Sequence, residues 1–533
     1  MSDEVDTYIY DLFASAENWL SPNQGTATQI VSELSRFLHE PGKLGSPPLS
    51  EVFADFNDTQ IPNSPIPPQG FFTHLLREII PRAVKTSSPQ FIGHMTSALP
   101  GYVFVMSQLL AVLNQNIVKV ETSGVLTLYE RQAIAMLHRL VFNQDEAFYQ
   151  EHTQASQSTL GMMVTGGTLA NIAALWCARN AALGPNKNHQ GIDNTGFASV
   201  LQTHKFSRAV IIGSTLMHFS AEKAADIMGM GANAIIRVPV NSAGKIDTKQ
   251  LRCTIAQCHE RNECIIALIG LAGSTEVGSV DPLDELADIA QEHKIHLHVD
   301  AAWGGPVLFS EQYRHLLSGI ERADSVTIDG HKQLYTPIGL GTVLLRNPKL
   351  ATGIEKVANY IAREASLDLG KRTLEGSRPA LSLYVHAALA TLGRRGLAWL
   401  IDQGMAKTKA MRAQIIARPE FELLAEPELN IMVYRYIPIS QRQRIGHAGV
   451  EGPNNKYINE VNKQIQEQQF TFGTGFVSRT LLTHTHYGSK VPIMALRAVL
   501  ANPLTSDEHL RAVLDEQLEL ATAIETNLQG SIL

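Results

Sequence analysis

Four clusters of glycine and polar residues in this 533-residue chain could do chemistry. The first is the turn Thr-Gly-Gly-Thr at 165–168, between the apolar run 161–164 and the amphipathic stretch 169–182. Glycines let the backbone approach an anion closely, and the N-terminus of a helix offers free N–H groups with partial positive charge. This turn could therefore bind a phosphate, although a Gly-Gly-Thr turn that only caps a helix is more common.

The second cluster is the run His-Leu-His-Val-Asp-Ala-Ala-Trp at 296–303. In a β-strand His296, His298 and Asp300 would point to one face, because successive side chains alternate. Metallohydrolases use such a spacing for zinc ligands. The arrangement also suits a carboxylate that faces a ring nitrogen of a bound cofactor, and the small residues after Asp300 favour this second reading, since a flat ring could lie against them.

The third cluster is Asp-Gly-His-Lys at 329–332, directly after the apolar run 325–328. A lysine is most often a surface residue, but Lys332 would follow a buried strand in the same sheet as Asp300. A lysine in such a pocket can act as a nucleophile toward a carbonyl carbon. His331 could hydrogen-bond a phosphate.

The fourth cluster surrounds His218, which follows the apolar run 209–212. His218 could stack on a ring, although a helix capped by Ser220 explains the segment equally well. Together the clusters offer a phosphate cradle, a stacking ring, a carboxylate for a cationic ring nitrogen and an amine for an aldehyde. Pyridoxal phosphate requires all four, so the combination predicts an enzyme that uses this cofactor, with no metal.

A sheet must position these clusters, because each of them follows a short apolar run. Seven such runs alternate with longer amphipathic stretches, which predicts a mostly parallel sheet with helices on both faces. The runs are 161–164, 209–212, 234–238, 265–269, 296–299, 325–328 and 342–345. Ligands of such sheets bind beyond the carboxyl ends of the strands.

The pattern along the chain divides an α/β protein into four parts. Residues 1–90 combine helical patterns with Pro-rich linkers and predict an N-terminal helical arm. Residues 91–350 hold the alternating pattern of the large cofactor domain. The polar stretch 351–378 predicts a mobile loop or linker, and residues 379–533 predict a smaller C-terminal α+β domain.

Charge and composition exclude several classes of protein. The chain has 44 Lys and Arg against 51 Asp and Glu, a net charge of −7, so a general affinity for nucleic acid is not expected. No apolar run reaches the roughly 20 residues of a membrane helix. The acidic N-terminus does not resemble a secretory signal, and the four cysteines contain no C-x-x-C pair, so we expect reduced thiols and a cytoplasmic enzyme.

As a set, the motifs resemble the group II pyridoxal-phosphate-dependent amino-acid decarboxylases, in particular the bacterial aspartate 1-decarboxylase-like and glutamate decarboxylase-like proteins. The resemblance covers residues 85–515. It is carried by the turn 165–168, the His218 segment, Ala-Gly-Ser-Thr at 272–275, His-Val-Asp-Ala-Ala-Trp at 298–303, Asp-Gly-His-Lys at 329–332, Gly-Ser-Arg at 376–378 and Leu-Arg-Ala-Val-Leu-Ala-Asn-Pro at 496–503.

The resemblance implies a fold type I (aspartate aminotransferase-like) enzyme, a homodimer with active sites at the subunit interface and pyridoxal 5'-phosphate as cofactor. It assigns Lys332 to the Schiff base with the cofactor, Asp300 to the pyridine nitrogen, and opposite ring faces to His218 and Ala302. The remaining cofactor contacts that it implies are Gly167, Thr168 and His331 at the phosphate, and Ser274 and Thr275 in a cofactor-contacting turn.

The resemblance also implies a substrate pocket formed by Gln90, Phe91, His94, Ser123 and Arg378. Arg378 matches the arginine that holds the α-carboxylate of the substrate. Ser123 lies in a segment that the family contributes to the pocket of the neighbouring subunit. Gln90 stands where many members carry a basic residue.

These assignments predict decarboxylation of a small acidic amino acid, L-aspartate to β-alanine and carbon dioxide, with L-glutamate to γ-aminobutyrate as the alternative. Gln90 and His94 could hydrogen-bond a distal carboxylate, whereas an aromatic substrate would leave them unpaired at about 1–3 kcal/mol each. An aromatic amino-acid decarboxylase and the metallohydrolase are more distant alternatives. In glutamate decarboxylases a tyrosine of a mobile loop returns a proton to the substrate carbon. The stretch 361–377 contains no aromatic residue, so the candidate for this role is Tyr360, directly before that stretch.

Overall fold

The computed structural model describes residues 2–14, 25–39, 44–45, 47–187, 189–357, 366–447, 452–485, 487 and 492–530. The strands are β1 (Gly161–Val164), β2 (Ala209–Ser214), β3 (Ile235–Val238), β4 (Cys264–Leu271), β5 (His296–Asp300), β6 (Ser325–Asp329), β7 (Gly341–Leu345), β8 (Phe421–Leu423), β9 (Ile431–Tyr436), β10 (Ser478–Leu482) and β11 (Ile493–Val499). The α-helices are α1 (Ser2–Ala14), α2 (Gly25–His39), α3 (Leu49–Val52), α4 (Pro68–His74), α5 (Tyr102–Leu113), α6 (Val120–Ser123), α7 (Val125–Phe142), α8 (Glu146–His152), α9 (Gly167–Ala182), α10 (Ile192–Thr195), α11 (Phe197–His204), α12 (Ser220–Ile227), α13 (Thr248–Glu260), α14 (Leu283–His293), α15 (Ser382–Thr391), α16 (Gly393–Ile416), α17 (Asn455–Phe472) and α18 (Asp507–Gly530).

The seven strands β1–β7 form one sheet in the order β1-β7-β6-β5-β4-β2-β3. Four neighbouring pairs are parallel, from β6 through β5, β4 and β2 to β3, while β7 runs antiparallel to both β6 and β1. Six strands therefore share one direction. This confirms the mostly parallel sheet, and each of the seven apolar runs coincides with a strand to within two residues at either end.

The strands are apolar throughout because both faces of the sheet are covered. Along β2, Val210 and Ile212 pack into one hydrophobic core, whereas Ala209 and Ile211 pack into a second core on the other face. All six residues of β2 are buried. Continuous apolar strands are the expected signature of a sheet with helices on each side.

The smaller sheet is antiparallel, in the order β10-β11-β9-β8, and α17 and α18 pack against it. The sequence also predicts two strands in this part of the chain, at 430–437 and 493–500, which coincide with the central strands β9 and β11, but it does not predict the edge strands β8 and β10. An edge strand pairs on one side only, and β10 alternates between half-buried and exposed residues before the buried Leu482, so it carries no continuous apolar run.

The N-terminal part is helical, with α1–α4 largely on the surface. The domain boundaries at 90, 350 and 378 stay predictions. Among the described residues, none of the helices is long and apolar enough to cross a membrane. The four cysteines are free thiols, of which Cys253 is exposed.

Candidate active site

Six strands of the large sheet end at the same edge, and the segments that follow five of them meet at one cavity there. The cavity measures about 360 Å³, within the range of small-molecule sites. Its position beyond the carboxyl ends of the strands follows from the parallel topology. The predicted site residues that line it are His94, Gly167, Thr168, His218, Ser274, Thr275, Asp300, Ala302, His331 and Lys332.

Two glycines shape the turn between β1 and α9. Gly166 has a φ of +107°, which side-chain-bearing residues rarely adopt, and a Cβ at Gly167 would lie 2.6 Å from Asp329 Oδ2. The N–H of Thr165 donates to Glu375 Oε1 at 3.1 Å, and its hydroxyl donates to the same oxygen at 2.5 Å. With the N-terminus of α9 behind it, this turn presents hydrogen-bond donors to an anion.

Lys332 follows β6 and is held against Asp329. Its Nζ lies 3.1 Å from Asp329 Oδ2, and its side chain is 18% exposed. Asp329 Oδ1 is buried without a hydrogen-bond partner among the described residues. His331 donates from Nδ1 to the carbonyl of Leu340 at 3.0 Å. The amine is therefore oriented yet open to the cavity, as a nucleophile toward an aldehyde must be.

Asp300 ends β5, and two donors hold its carboxylate. Asn171 Nδ2 donates to Oδ2 at 2.8 Å, and the N–H of Ala302 donates to Oδ1 at 3.1 Å. The ring of His218 lines the same cavity, and its Nδ1 accepts the N–H of Ser220 at 3.2 Å, so the imidazole caps α12. Burial lowers the pKa of His218, while Asp300 opposes that shift, so the ring is neutral near pH 7.

The smaller sheet places a cation behind the cavity wall. Arg497 of β11 donates from Nε to the carbonyl of Thr275 at 2.7 Å and from Nη1 to Ser478 Oγ at 3.2 Å, but its buried Nη2 has no partner in the described part of the chain. Burial lowers the pKa of Arg497 to about 10. His94, which lines the cavity, contacts Thr96 Oγ1 through Nδ1 at 2.9 Å. Burial, followed by the charge of Arg497, lowers the pKa of His94.

Four predicted substrate residues lie outside this cavity. Both terminal nitrogens of Arg378 donate to Glu130, with Nη1 to Oε2 at 2.8 Å, and the two side chains are 3% and 1% exposed. The guanidinium of Arg378 is therefore held in a buried ion pair, and its role in holding the substrate stays a prediction. Phe91 lines an adjoining cavity, Ser123 is buried, and Gln90 lines neither of the two cavities.

The His-x-His-x-Asp run does not form a ligand set. His296 Nε2 and His298 Nδ1 both contact Ser325 Oγ, at 2.7 and 2.9 Å, and of the three residues in the run only Asp300 lines the cavity. Within the described ranges, no group of three His, Cys, Asp or Glu side chains could hold a metal ion. The spacing instead reflects the alternation of a buried strand.

Comparison with known proteins identifies the family. Residues 53–437 match the model of the pyridoxal-dependent decarboxylase conserved domain. The chain belongs to this family. It is 42% identical to aspartate 1-decarboxylase of Aliivibrio fischeri over 94% of this chain and 92% of that protein. It is 26% identical to L-2,4-diaminobutyrate decarboxylase of Rhizobium meliloti, over 85% and 81%. Mouse CSAD in apo form shares the fold, with a TM-score of 0.79 at 23% identity over 93% of this chain and 98% of that one.

The family confirms the reaction class, the cofactor and the fold expected from the sequence. The decarboxylase uses pyridoxal 5'-phosphate and acts on small amino acids, and it is a carboxy-lyase. The residues at the cavity fit this cofactor: the glycine turn would not accommodate a side chain at Gly167, Asp300 presents a carboxylate, and Lys332 presents an amine.

Three residues at the site were not assigned from the sequence. Asn171 lies one turn into α9, three residues after Thr168, and its helical spacing from the glycine turn could have identified it. Asp329 stands in the motif 329–332, from which the sequence predicts roles for Lys332 and His331 only. Arg497 belongs to an apolar strand of the other sheet, and no local pattern distinguishes it from Arg378.

Proposed function

We propose that this decarboxylase acts on a small acidic amino acid, with L-aspartate to β-alanine ahead of L-glutamate to γ-aminobutyrate. The observation that carries the proposal is the buried guanidinium of Arg497 beside His94, since its Nη2 has no hydrogen-bond partner within the described ranges and an anion would supply one. A substrate with two carboxylates needs two such places. Arg497 would bind the α-carboxylate, and His94 with Thr96 would bind the distal one.

The residues around the cavity would divide the work of catalysis. The cofactor, when bound, supplies an electron sink for the bond that breaks. Lys332 would hold the cofactor aldehyde as a Schiff base, Asp300 would hold the proton of the ring nitrogen, and Arg497 would fix the carboxylate that leaves. The contacts proposed for the rest of the cofactor are those of Gly167, Thr168 and His331 with the phosphate, of His218 and Ala302 with the ring faces, and of Ser274 and Thr275 in the turn after β4.

The preference for L-aspartate over the longer L-glutamate is supported by the relative named aspartate 1-decarboxylase. One methylene is worth only about 1–3 kcal/mol in discrimination, so L-glutamate would be a slower substrate and not a rejected one. The test is kcat/KM for L-aspartate, L-glutamate, L-2,4-diaminobutyrate and L-tyrosine, with amine products identified by mass spectrometry. A preference for L-glutamate would reverse the order, and a preference for either of the last two would overturn the acidic class.

The proposed anchor has a matched control on the neighbouring strand. Arg497→Lys keeps the charge but shortens the reach and removes the planar fork, so KM for L-aspartate should rise at least tenfold while the cofactor still binds. Arg479→Lys on β10 alters an exposed arginine that pairs with Glu467 and should leave KM unchanged. An equal change of KM in the two variants would show that Arg497 does not bind the substrate.

The residue that returns a proton to the substrate carbon is proposed to be Tyr360, which lies outside the described residues. Tyr360→Phe should then increase misplaced protonation, seen as more pyridoxamine phosphate for each amine released. An unchanged ratio would rule Tyr360 out.

A homodimer is proposed from the apolar surface of α5 and α7. Large exposed patches of this kind mark interaction sites on soluble proteins. The exposed residues are Phe104, Val105, Leu109, Val112 and Leu113 on α5, and Val125, Leu128, Tyr129 and Met136 on α7. Light scattering should give twice the chain mass of 58.4 kDa. Val112→Glu on α5 should shift it toward one chain mass, and a monomer in the unmodified protein would contradict the proposal.

A further inference from the structure

We propose that a hydrogen-bond chain, running from the half-buried His296 through buried side chains to Asn171, orients the Asp300 carboxylate toward the cofactor ring. This inference rests on the proposed function, in which Asp300 faces the ring nitrogen. This hydrogen-bond chain has four links between side chains of β5, β6 and α9. Its contacts are His296 Nε2 to Ser325 Oγ at 2.7 Å, Ser325 Oγ to His298 Nδ1 at 2.9 Å, His298 Nε2 to Asn171 Oδ1 at 3.0 Å and Asn171 Nδ2 to Asp300 Oδ2 at 2.8 Å.

The direction of this chain follows from counting hydrogens. Asn171 Oδ1 can only accept, so His298 Nε2 must carry a hydrogen and donate it. A neutral His298 then has a bare Nδ1, which accepts the single hydroxyl hydrogen of Ser325. Ser325 Oγ has no hydrogen left for His296, so His296 donates to it. Every donor therefore points the same way, and the last of them ends on Asp300.

Burial keeps the two imidazoles in these neutral forms. His298 and Ser325 have no exposed surface, and Asn171 is 5% exposed. Burial lowers the pKa of both His296 and His298 to about 4, so neither carries a charge near pH 7. With one hydrogen per ring, each tautomer is set by its neighbour.

Asn171 is a junction that few other side chains could form. Its amide donates one hydrogen to Asp300 and the other to Ser220 Oγ at 2.9 Å, and its carbonyl oxygen accepts from His298. A flipped amide would set oxygen against the carboxylate, so the donor from His298 also decides which way the amide lies. Asn171 and the N–H of Ala302 each donate to one oxygen of Asp300, and these two hydrogen bonds fix the plane of the carboxylate. Asn171 and His298 are therefore positioning residues.

The experiment measures protonation of the ring nitrogen directly. Holoenzyme is prepared with pyridoxal phosphate labelled with nitrogen-15, and its NMR shift is followed with pH alongside kcat and the cofactor dissociation constant. His298→Leu breaks the chain and should move the signal toward the unprotonated ring, with a 10- to 100-fold loss of kcat, about 1.4–2.7 kcal/mol. His298→Gln retains a donor at the same reach and should restore both. Asn171→Leu, which removes the donor to Asp300 and leaves an apolar side chain of similar size, should act like His298→Leu.

The controls separate this inference from the proposed function. His138 is also buried, has a pKa lowered to about 4 and makes two hydrogen bonds, but these go to Tyr149 and Leu345. His138→Leu should therefore leave the nitrogen-15 signal unchanged, and a shift there would reduce the effect to general destabilisation. Asp300→Asn must shift the signal if Asp300 faces the ring. If it does not, the proposed function fails. If Asp300→Asn shifts the signal but His298→Leu and Asn171→Leu do not, only the hydrogen-bond chain is overturned.

Discussion

The ion pair between Arg378 and Glu130 offers the most direct test of whether Arg378 holds the fold together or holds the substrate. Glu130 lies on α7, and Arg378 lies 248 residues further along the chain. Glu130→Gln keeps the size of the side chain but removes its charge. The guanidinium of Arg378 would then be buried without a counter-ion, and it is the unpaired charge that makes such a change costly.

The magnitude follows from the burial of both partners. Removing one partner of a buried pair costs about 3–5 kcal/mol. The entropy of unfolding is about 2.1 cal/mol/K per residue, which gives about 1.1 kcal/mol/K for the 533 residues. The melting temperature should therefore fall by about 3–5 °C. The double variant Glu130→Gln with Arg378→Met should recover part of that loss, because no charge remains to be buried.

The assay is thermal unfolding of the holoenzyme at fixed protein and cofactor concentrations, with KM for L-aspartate measured on the same samples. Glu292→Gln is the matched control, since it removes a carboxylate from the exposed pair with Arg252 and should leave the melting temperature unchanged. Two results would refute the reasoning. One is a Glu130→Gln variant with unchanged melting temperature and altered KM, which would indicate that Arg378 binds the substrate. The other is a double variant less stable than both single ones.

Three further predictions concern the cofactor and the pH dependence. Lys332→Ala should abolish both borohydride-trapped cofactor and turnover, and peptide mapping that finds the cofactor on another lysine would refute the assignment. Glu375→Gln should tighten the dissociation constant of pyridoxal phosphate about threefold to tenfold, because Glu375 brings a negative charge to the turn at Thr165 where the phosphate would bind; an unchanged constant would remove the phosphate from that turn. Burial lowers the pKa of His138 from 6.5 to about 4, so on acidification the unfolded chain takes up a proton at this histidine before the folded chain does. The stability that His138 contributes above pH 6.5 is therefore lost as the pH falls toward 4. The loss amounts to at most about 3 kcal/mol. His138→Gln should flatten the plot of unfolding free energy against pH in that window, and an unchanged slope would contradict the burial argument.

The sequence alone determined the large sheet and the residues at its edge. Each strand from β1 to β7 is a local apolar run, and five of them carry cavity residues at their end or just after it. Asp300 ends β5, and Lys332 lies three residues after β6. Because parallel strands end at one edge, local order along the chain was enough to bring these groups together. The same rule predicted that His298 and Asp300 share a face, and both contact Asn171.

Only the tertiary structure shows how the surroundings of the two arginines differ. Arg378 and Arg497 both lie within motifs of the family resemblance, and neither carries a local sign of its partner. Arg378 is neutralised by Glu130 from a helix far away in sequence. The antiparallel small sheet brings Arg497 to the carbonyl of Thr275 behind the cavity wall, where its Nη2 has no partner among the residues that the structure describes. Whether a buried charge is neutralised or left for a ligand depends on which groups meet after long-range packing, and residue types and local spacing do not encode that pairing.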